Sequence, residues 1–295
     1  MNTKKMLLIK TGNSETLYEK KSSDIVSMGD VFRTSFLIKE FEAYELTWLT
    51  SREAEELLRV FFPTLKIISG VDELTDEVIA LFDVILNLEK SDSVLLRFGG
   101  RNNTYGFVNE ERGYFKKLFA INEKNSNSKF WSDVNEDEVF EVELCRVVGI
   151  PFIPNKNETP SNVIGSDDYQ IGFNWHVGKK WPEKRIPKKF WSELERELSL
   201  TFTISWQKGF DNIDEYIRWI DSCDILVTLD SLGLHLGKAL GKKVLALFGP
   251  TNSSQIELCN GSKHFYSQNL KNNNSELDIL IKQVVKEALI MQQDS

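Results

Sequence analysis

The polar residues with the clearest chemical potential stand where one predicted strand passes into a helix. The apolar run Ile225–Leu229 predicts a buried strand, and the period of Leu234–Leu240 predicts a helix. Open α/β sheets bind ligands at such junctions, and the free N–H groups of a helix start suit a phosphate. The polar candidates at this junction are Asp230, Ser231, Gly233 and His235.

Each of these candidates also has a structural interpretation. Asp230 could cap the helix, because Asp is a favoured N-cap residue. A lone histidine such as His235 is more often a satisfied structural residue, whereas Gly233 would let a ligand approach the backbone closely. The chain contains neither a Walker A sequence nor GxGxxG, so neither nucleoside triphosphate hydrolysis nor hydride transfer is indicated.

A second candidate site is the sequence Ser27-Met28-Gly29-Asp30. Gly29 would permit a tight turn from strand to helix, and Asp30 would then stand at the helix start. A carboxylate there could act as general base toward an acceptor hydroxyl, a step worth roughly 10²–10⁴-fold in rate. The alternative is that Asp30 only caps the helix.

A third candidate is the basic, aromatic loop Asn174–Arg185. Lysines act as point charges for phosphate, and Trp181 could stack on a ring. The loop could equally be an ordinary solvated segment in which Trp181 packs over the next helix.

The alternation of predicted strands and helices organises these candidates into an α/β protein. It occurs twice, on either side of a Pro- and Asn-containing linker, Ile150–Gly165, which predicts two Rossmann-like domains with a cleft between them. We place an amino-terminal domain at residues 1–155, a carboxy-terminal domain at 156–275 and a final helical segment at 276–295. The predicted strands are Met6–Ile9, Leu46–Leu49, Leu65–Ser69, Val84–Leu88, Tyr169–Trp175, Phe202–Trp206, Ile225–Leu229 and Val244–Phe248. The predicted helices are Val31–Phe41, Ser51–Phe61, Asp76–Phe82, Asp137–Val148, Lys188–Leu198, Ile213–Cys223, Leu234–Leu240 and Asn274–Met291.

Composition excludes several classes of function. The 295 residues carry a net charge of −8, and residues 1–150 hold 19 basic against 26 acidic side chains, which argues against nucleic-acid binding. No apolar stretch is long enough to span a membrane, and no signal peptide is indicated. Three separated cysteines and three histidines predict neither a disulfide framework nor a metal site, and they fit a reducing cytoplasm.

Three motifs in order resemble glycosyltransferase family 9, the ADP-heptose:lipopolysaccharide heptosyltransferases and their relatives. The first is Ser27–Thr34, and the second is Lys184-Arg185-Ile186-Pro187 followed by Phe190-Trp191. The third runs from Asp230 through Ala239–Val244 to Phe248-Gly249-Pro250-Thr251. Their order and their spread over most of the chain make the resemblance more specific than any single motif.

The resemblance implies a GT-B fold and an inverting, metal-independent transferase that uses a nucleotide-diphospho-sugar, without a cofactor. It makes Asp30 the general base and pairs Lys184 with the donor diphosphate. It assigns phosphate contacts to the backbone N–H groups from Ser231 to Leu234, including Leu232, places Asp230 and His235 near the sugar or phosphate, and lets Thr251 touch the nucleotide. The expected partners are a nucleotide sugar and a bacterial surface-glycan acceptor, at the cytoplasmic face of the inner membrane if the acceptor is lipid-linked. Candidate acceptor-binding residues are Glu89, Arg97 and Arg101.

The sequence departs from the family pattern at three places. Leu232 stands where the family usually has glycine, Ile186 stands where Trp is common, and the Thr11–Asp24 segment is a longer loop than the family's passage into Gly-Asp. That loop is either functional or a plain surface insertion. Two alternatives to transfer therefore stay open: a GT-B sugar-nucleotide epimerase or hydrolase, and a non-catalytic sugar-nucleotide-binding protein.

Overall fold

A computed structural model of the chain describes residues 3–19, 22–108, 114–118, 127–129, 134–153, 168–209, 212–259, 261–266 and 274–293. It divides into two compact units, Met1–Thr159 and Pro160–Ser295. The domain boundary predicted between residues 155 and 156 and most of the predicted linker lie outside the described residues. None of the helices in the described ranges combines the length and apolar character needed to cross a bilayer.

The first unit is built on one sheet, which has seven strands within the described residues. The strands lie in the order β3-β2-β1-β4-β5-β6-β7; neighbours up to β5 are parallel, and β6 and β7 add antiparallel pairs. The carboxyl ends of β1, β2, β3 and β4 therefore share one edge. The strands are β1 (Lys5–Ile9), β2 (Glu45–Thr50), β3 (Lys66–Ser69), β4 (Val84–Asn87), β5 (Thr104–Phe107), β6 (Tyr114–Lys116) and β7 (Asn127–Lys129).

The helices of this unit pack apolar faces on the sheet. Ser51 caps α3 by accepting a hydrogen bond from the Ala54 N–H at 3.3 Å. The single helix predicted over Val31–Phe41 is wrong, because the chain forms two short helices separated at Ser35 and Phe36. The helices are α1 (Met28–Thr34), α2 (Leu37–Glu40), α3 (Arg52–Phe61), α4 (Asp76–Ile79), α5 (Asp92–Phe98) and α6 (Phe140–Val148).

The second unit has a five-stranded sheet among the described residues, in the order β12-β11-β10-β8-β9, with every neighbouring pair parallel. The strands are β8 (Tyr169–Asn174), β9 (Ile204–Trp206), β10 (Cys223–Leu229), β11 (Lys243–Phe248) and β12 (Lys263–Tyr266). The helices are α7 (Lys188–Leu198), α8 (Ile213–Asp221), α9 (Leu232–Ala239) and α10 (Asn274–Gln293). The final helix, α10, packs its apolar face into this unit's core beside α7.

The two sheets, the first parallel from β3 to β5 and the second parallel throughout the described strands, have flanking helices and confirm the predicted α/β class with Rossmann-like units. The predicted elements do not include β5, β6, β7 and helix α5 of the first unit, nor the edge strand β12 of the second.

Candidate functional site

The carboxyl edge of the second sheet carries a buried ion pair between two predicted site residues. Lys184 lies in a short 3₁₀ turn, Pro182–Lys184, in the loop after β8, and Asp230 directly follows β10. The Lys184 Nζ lies 2.6 Å from Asp230 Oδ2, and the two side chains are only 13% and 9% exposed. The pair thus brings together residues 46 positions apart at the start of α9.

The charge state of Asp230 follows from its neighbours. Burial by itself would raise its pKa, but the Lys184 ammonium, His235 and a contact from Thr251 outweigh burial and lower the pKa to about 2. Asp230 is therefore a carboxylate at neutral pH. It is not the cap of α9, because Ser231 occupies that position.

The start of α9 is shaped by the neighbouring strand. Ser231 does not cap α9 with its side chain; its hydroxyl instead accepts a hydrogen bond from Asn174 Nδ2 at 3.1 Å. The Leu234 N–H donates back to the Ser231 carbonyl at 3.0 Å. The N–H groups of Leu232 and Gly233, the first two residues of the helix, precede that turn and are the groups a phosphate would use.

Gly233 faces protein atoms, which corrects the interpretation that it makes room for a ligand. A Cβ atom at this position would come within 2.5 Å of the Tyr216 hydroxyl and closer still to the Asn174 amide. Tyr216 donates to Asn174 Oδ1 at 2.8 Å, and Asn174 donates to Thr228 Oγ1 at 2.7 Å. Glycine is therefore needed for helix α9 to pack on this buried polar cluster.

The basic loop after β8 adds positive charge near Lys184. The ammonium groups of Lys180 and Lys184 each lie 5.5 Å from the centroid of the Trp181 ring. This cation–π geometry places two lysine ammonium groups beside the Trp181 ring. Ile186, which follows them, is buried in the core of the unit rather than at the site.

In the first unit, Asp30 lies at the carboxyl edge of the sheet, 4% exposed, in the first turn of α1. Its Oδ2 pairs with the ammonium of Lys10, the residue after β1. Its Oδ1 accepts from Arg33 Nε at 3.2 Å and from Arg33 Nη2 at 3.1 Å. Burial alone would raise the pKa of Asp30, but Lys10 and Arg33 hold that pKa below its ordinary value.

Two details of the sequence interpretation of this segment are wrong. Asp30 does not cap α1, because Ser27 is the N-cap and the Asp30 carboxylate pairs with Lys10 and Arg33. The glycine that needs a positive φ is Gly12, at +87°, and not Gly29, which lies inside the helix. A Cβ on Gly12 would also come within 2.9 Å of the Val31 side chain.

Residues 11–17 of the Thr11–Asp24 loop are packed into the unit, so the loop is not a plain surface insertion. Thr11, Ser14, Thr16 and Leu17 are buried. The Glu89 carboxylate accepts hydrogen bonds from Thr11 Oγ1 at 2.8 Å and from the Gly12 N–H at 3.1 Å, and it also accepts one from Ser14 Oγ. 

Of the three candidate acceptor-binding residues, Arg97 and Arg101 lie together, with Arg101 Nε donating to the Arg97 carbonyl at 3.2 Å, and Glu89 lies apart from them. Glu89 is fully buried, so its carboxylate holds the loop and does not face solvent. Arg97 donates to the Leu74 carbonyl from the last turn of α5, and Arg101 pairs with Asp76. Arg101 precedes β5, so it lies toward the amino edge of the sheet, opposite the edge that carries Asp30.

Lys10 is a site residue outside the three predicted candidate sites, and Asn174, the first residue of the predicted basic loop, had no role of its own there. Each stands at the carboxyl end of a predicted strand, β1 or β8, and that position was the available signal. Lys10 is fully buried, which its position at the end of an apolar run could have suggested. Across the described ranges, no group of three or more His, Cys, Asp and Glu side chains is placed to hold a metal ion.

Comparisons with known proteins relate this geometry to one family. The model of glycosyltransferase family 9 (heptosyltransferase) matches residues 209–282, which include the Lys184 partner Asp230 and helix α9. No curated protein matches the chain.

Solved structures match over nearly the whole length. A family 9 glycosyltransferase from Veillonella parvula is 15% identical, with a TM-score of 0.65 over 99% of this chain and 98% of the other. E. coli ADP-heptose LPS heptosyltransferase II is 15% identical, with a TM-score of 0.64 over 99% and 100%. E. coli heptosyltransferase WaaC with ADP is 12% identical, with a TM-score of 0.62 over 96% and 99%. The chain therefore has the GT-B fold of these heptosyltransferase structures, and its carboxy-terminal unit resembles glycosyltransferase family 9 in sequence.

Proposed function

We propose that the chain is an inverting, metal-independent glycosyltransferase of the family 9 type. It transfers a heptose from ADP-heptose, or a related nucleotide-diphospho-sugar, to a bacterial surface-glycan acceptor such as a lipopolysaccharide core. The observation that carries the proposal is the Lys184–Asp230 ion pair at the start of α9, because Asp230 and α9 lie within the segment that the family model matches.

The donor diphosphate would bind at the start of α9. The helix dipole and the N–H groups of Leu232 and Gly233 favour negative charge there, and Asp230 holds the Lys184 ammonium at the same place. Lys180 adds a second positive charge beside Trp181. As the sugar–phosphate bond breaks, these groups would stabilise the charge on the departing nucleoside diphosphate.

Asp30 would serve the acceptor. The acceptor hydroxyl oxygen forms a bond to the anomeric carbon from the face opposite the diphosphate, and the nucleoside diphosphate leaves with the electron pair of the broken bond. The hydroxyl proton passes to the Asp30 carboxylate. Because Lys10 and Arg33 hold the pKa of Asp30 low, the carboxylate is deprotonated at neutral pH but is a weak base. The proton is therefore expected to transfer late, when bond formation has made it acidic.

Replacement of the two key residues tests the proposal. Asp30→Asn should lower kcat by roughly 10²–10⁴-fold with donor affinity retained, the range for loss of a general base. Lys184→Gln should instead weaken nucleotide-sugar binding, measured by calorimetry. Asp24→Asn, an exposed aspartate of the same loop region, is the matched control. Normal transfer by Asp30→Asn would remove the base assignment.

The choice of donor is tested by thermal shift with a panel of nucleotide sugars. A donor at 100 times its Kd should add about 2.7 kcal/mol to the stability of the folded state. ADP-heptose is the expected best ligand, and no stabilisation by any nucleotide sugar would sink the donor assignment.

One observation supports a second candidate, binding of a nucleotide sugar without transfer. Both Asp30 oxygens are engaged by cations, which weakens the carboxylate as a base. Nucleotide-sugar binding without nucleotide release, across a panel of glycan acceptors, would favour this candidate. Nucleotide release or conversion of the donor alone would instead favour an epimerase or hydrolase. Transfer to a lipid-linked acceptor would place the protein at the cytoplasmic face of the inner membrane, with peripheral contact only.

A further inference from the structure

The Asp30 carboxylate is one end of a charged chain that reaches the inserted loop. Arg33 Nη2 contacts both Asp30 Oδ1, at 3.1 Å, and the Glu15 carboxylate. The Arg33 guanidinium also lies 3.9 Å from the centroid of the Phe140 ring in α6, which fixes its plane. The side chains of Arg33 and Glu15 are 9% and 20% exposed. One buried guanidinium is thus shared between two carboxylates.

The position of Glu15 is built by the residues on each side of it. The Ser14 hydroxyl donates to Glu89, and the Ser14 carbonyl accepts from Lys10 Nζ. The Thr16 hydroxyl donates to the Leu88 carbonyl at 3.3 Å, and the Thr16 carbonyl accepts from Lys90 Nζ at 3.1 Å. Both flanking residues are therefore tied to the carboxyl end of β4, so Glu15 is held on Arg33 by a packed loop.

We propose that Glu15 and Arg33 are positioning residues for the Asp30 carboxylate, with Glu15 acting through Arg33. This inference rests on the proposed role of Asp30 as general base. Glu15 draws part of the guanidinium charge away from Asp30, which leaves the carboxylate less strongly stabilised and therefore more basic. Arg33 in turn prevents the two carboxylates from repelling each other. The loop that carries Glu15 is one of the three places at which this chain departs from the family pattern.

Several charged groups surround the Asp30 carboxylate, and a test has to separate their effects on its pKa from those of Glu15 and Arg33. The charged groups come from several elements. They are Lys10 after β1, Glu15 in the loop, Arg33 in α1, and Glu89 and Lys90 after β4. Around Arg33 and the loop lie further titratable groups, namely Tyr18, Glu19, Glu141 and Glu143, and the Glu19 carboxylate accepts a hydrogen bond from the Glu15 N–H at 3.0 Å. Only Lys10 and Arg33 contact the Asp30 carboxylate among the ion pairs of the described residues, and only Arg33 links Asp30 to Glu15.

The pKa of Asp30 should shift in opposite directions in the variants Glu15→Gln and Arg33→Gln. In Glu15→Gln, Arg33 keeps its charge for Asp30 alone, so the pKa of Asp30 falls further. In Arg33→Gln, the Asp30 carboxylate loses a neighbouring cation, and the negative charge of Glu15 is no longer compensated. Both changes raise the pKa of Asp30. Since the general base is active when deprotonated, the acid limb of the pH–rate profile should move to lower pH in Glu15→Gln and to higher pH in Arg33→Gln. Arg33→Lys keeps the charge and should return the limb toward the wild-type position, although a lysine lacks the planar fork that reaches both carboxylates.

The decisive measurement does not need catalysis. The side-chain carboxyl of Asp30 is titrated by ¹³C NMR in full-length protein labelled at aspartate carboxyl carbons, and its signal is assigned by its loss in Asp30→Asn. Glu56→Gln, an exposed glutamate of α3, is the control and should leave the titration unchanged. Opposite shifts in Glu15→Gln and Arg33→Gln support the proposal. If Arg33→Gln does not fold, the direction of the Glu15→Gln shift decides alone.

An Asp30 titration that is the same in Glu15→Gln as in the wild type would overturn the proposal, even in an active transferase. Opposite shifts in a protein that transfers no sugar would leave the linkage standing and remove the proposed function. The two failures are therefore distinguishable.

Discussion

The Asn174 side chain occupies the space beside Gly233 that any larger residue would need. Asn174 lies at the end of β8 and accepts a hydrogen bond from Tyr216 in α8, while Gly233 is the second residue of α9. Three elements thus meet at one buried polar group, and the start of α9 is fixed where a diphosphate is expected to bind. This packing explains why a glycine stands at position 233, one place after the position at which the family usually has one.

Gly233→Ala should therefore disturb both stability and binding. The added methyl group would clash with the Asn174 amide and the Tyr216 hydroxyl, so we expect a loss of about 1–3 kcal/mol in the free energy of unfolding, the usual cost of overpacking. Urea unfolding and nucleotide-sugar calorimetry measure the two effects. Gly178→Ala is the matched control, because a Cβ there meets nothing within 4 Å. Equal stability of the two variants would contradict the packing argument.

Lys184→Met should destabilise the second unit as well as weaken binding. It leaves the buried Asp230 carboxylate without its main partner, and breaking a buried pair on one side typically costs about 3–5 kcal/mol. The double variant Lys184→Met with Asp230→Leu removes both charges and should recover much of that stability. Urea unfolding of the two single variants and the double variant measures the coupling, and purely additive effects would show that the pair does not interact.

The same ion pair predicts how stability depends on acid. The pKa of Asp230 is about 2 in the folded protein and about 3.9 in an unfolded chain. The unfolded chain binds the proton first as pH falls, so the stabilisation is complete above pH 4 and is lost between about pH 4 and pH 2. Urea unfolding between pH 6 and pH 3 should therefore show a shallower decline for Asp230→Asn than for the wild type. Parallel declines would mean that the pKa is not lowered.

Local pattern was enough to predict most of the framework. The helix over Lys188–Leu198 was predicted with the bounds that the structure shows, and the predicted strand Ile225–Leu229 lies within Cys223–Leu229. Strand ends and helix starts also indicated Asp30 and Asp230, whereas Lys184 was indicated by its basic loop and by the resemblance to the family. 

Which side chains pair with each other could not be predicted, because the pairs join residues that are far apart in the chain. The local sequence does not indicate that the side chains of Glu89 and Lys90 are fully buried, since both residue types are usually exposed. Their burial follows from the inserted loop, whose Thr11–Thr16 segment folds over the end of β4. For the same reason the polar composition of the Thr11–Asp24 loop does not reveal that the hydroxyls of Thr11, Ser14 and Thr16 donate hydrogen bonds within the unit.

Glu89→Gln should loosen that loop. The neutral amide keeps the shape of the side chain but removes the charge that holds the Thr11 hydroxyl, the Gly12 N–H and the Ser14 hydroxyl. Charge-assisted hydrogen bonds are roughly twice as strong as neutral ones, so hydrogen exchange at Gly12 should become faster. Exchange measured by mass spectrometry on the peptide containing residues 11–19 tests this, with Glu56→Gln as the control. Unchanged protection would show that other contacts hold the loop.

Lys90 predicts an unusual dependence of stability on alkaline pH. Burial, with a smaller effect of the Lys10 charge, lowers the pKa of Lys90 to about 7, whereas a lysine in an unfolded chain has a pKa of about 10.4. Between these values the unfolded chain binds more protons than the folded protein, so stability should rise with pH through this window. Below pH 7 the cost of the buried charge is fully present, although hydrogen bonds to the Thr16 and Glu19 carbonyls offset part of it.

Lys90→Met removes the titrating ammonium group, so the stability of this variant should not show the rise with pH expected for the wild type. Since one unit of pKa shift corresponds to about 1.4 kcal/mol, the wild type should gain several kcal/mol over Lys90→Met between pH 6.5 and pH 9.5. Urea unfolding at four pH values across that range measures the difference, and Lys66→Met, at an exposed lysine of the same sheet, should follow the wild-type curve. Parallel curves for Lys90→Met and the wild type would show that Lys90 stays protonated in the folded protein, held by the loop carbonyls.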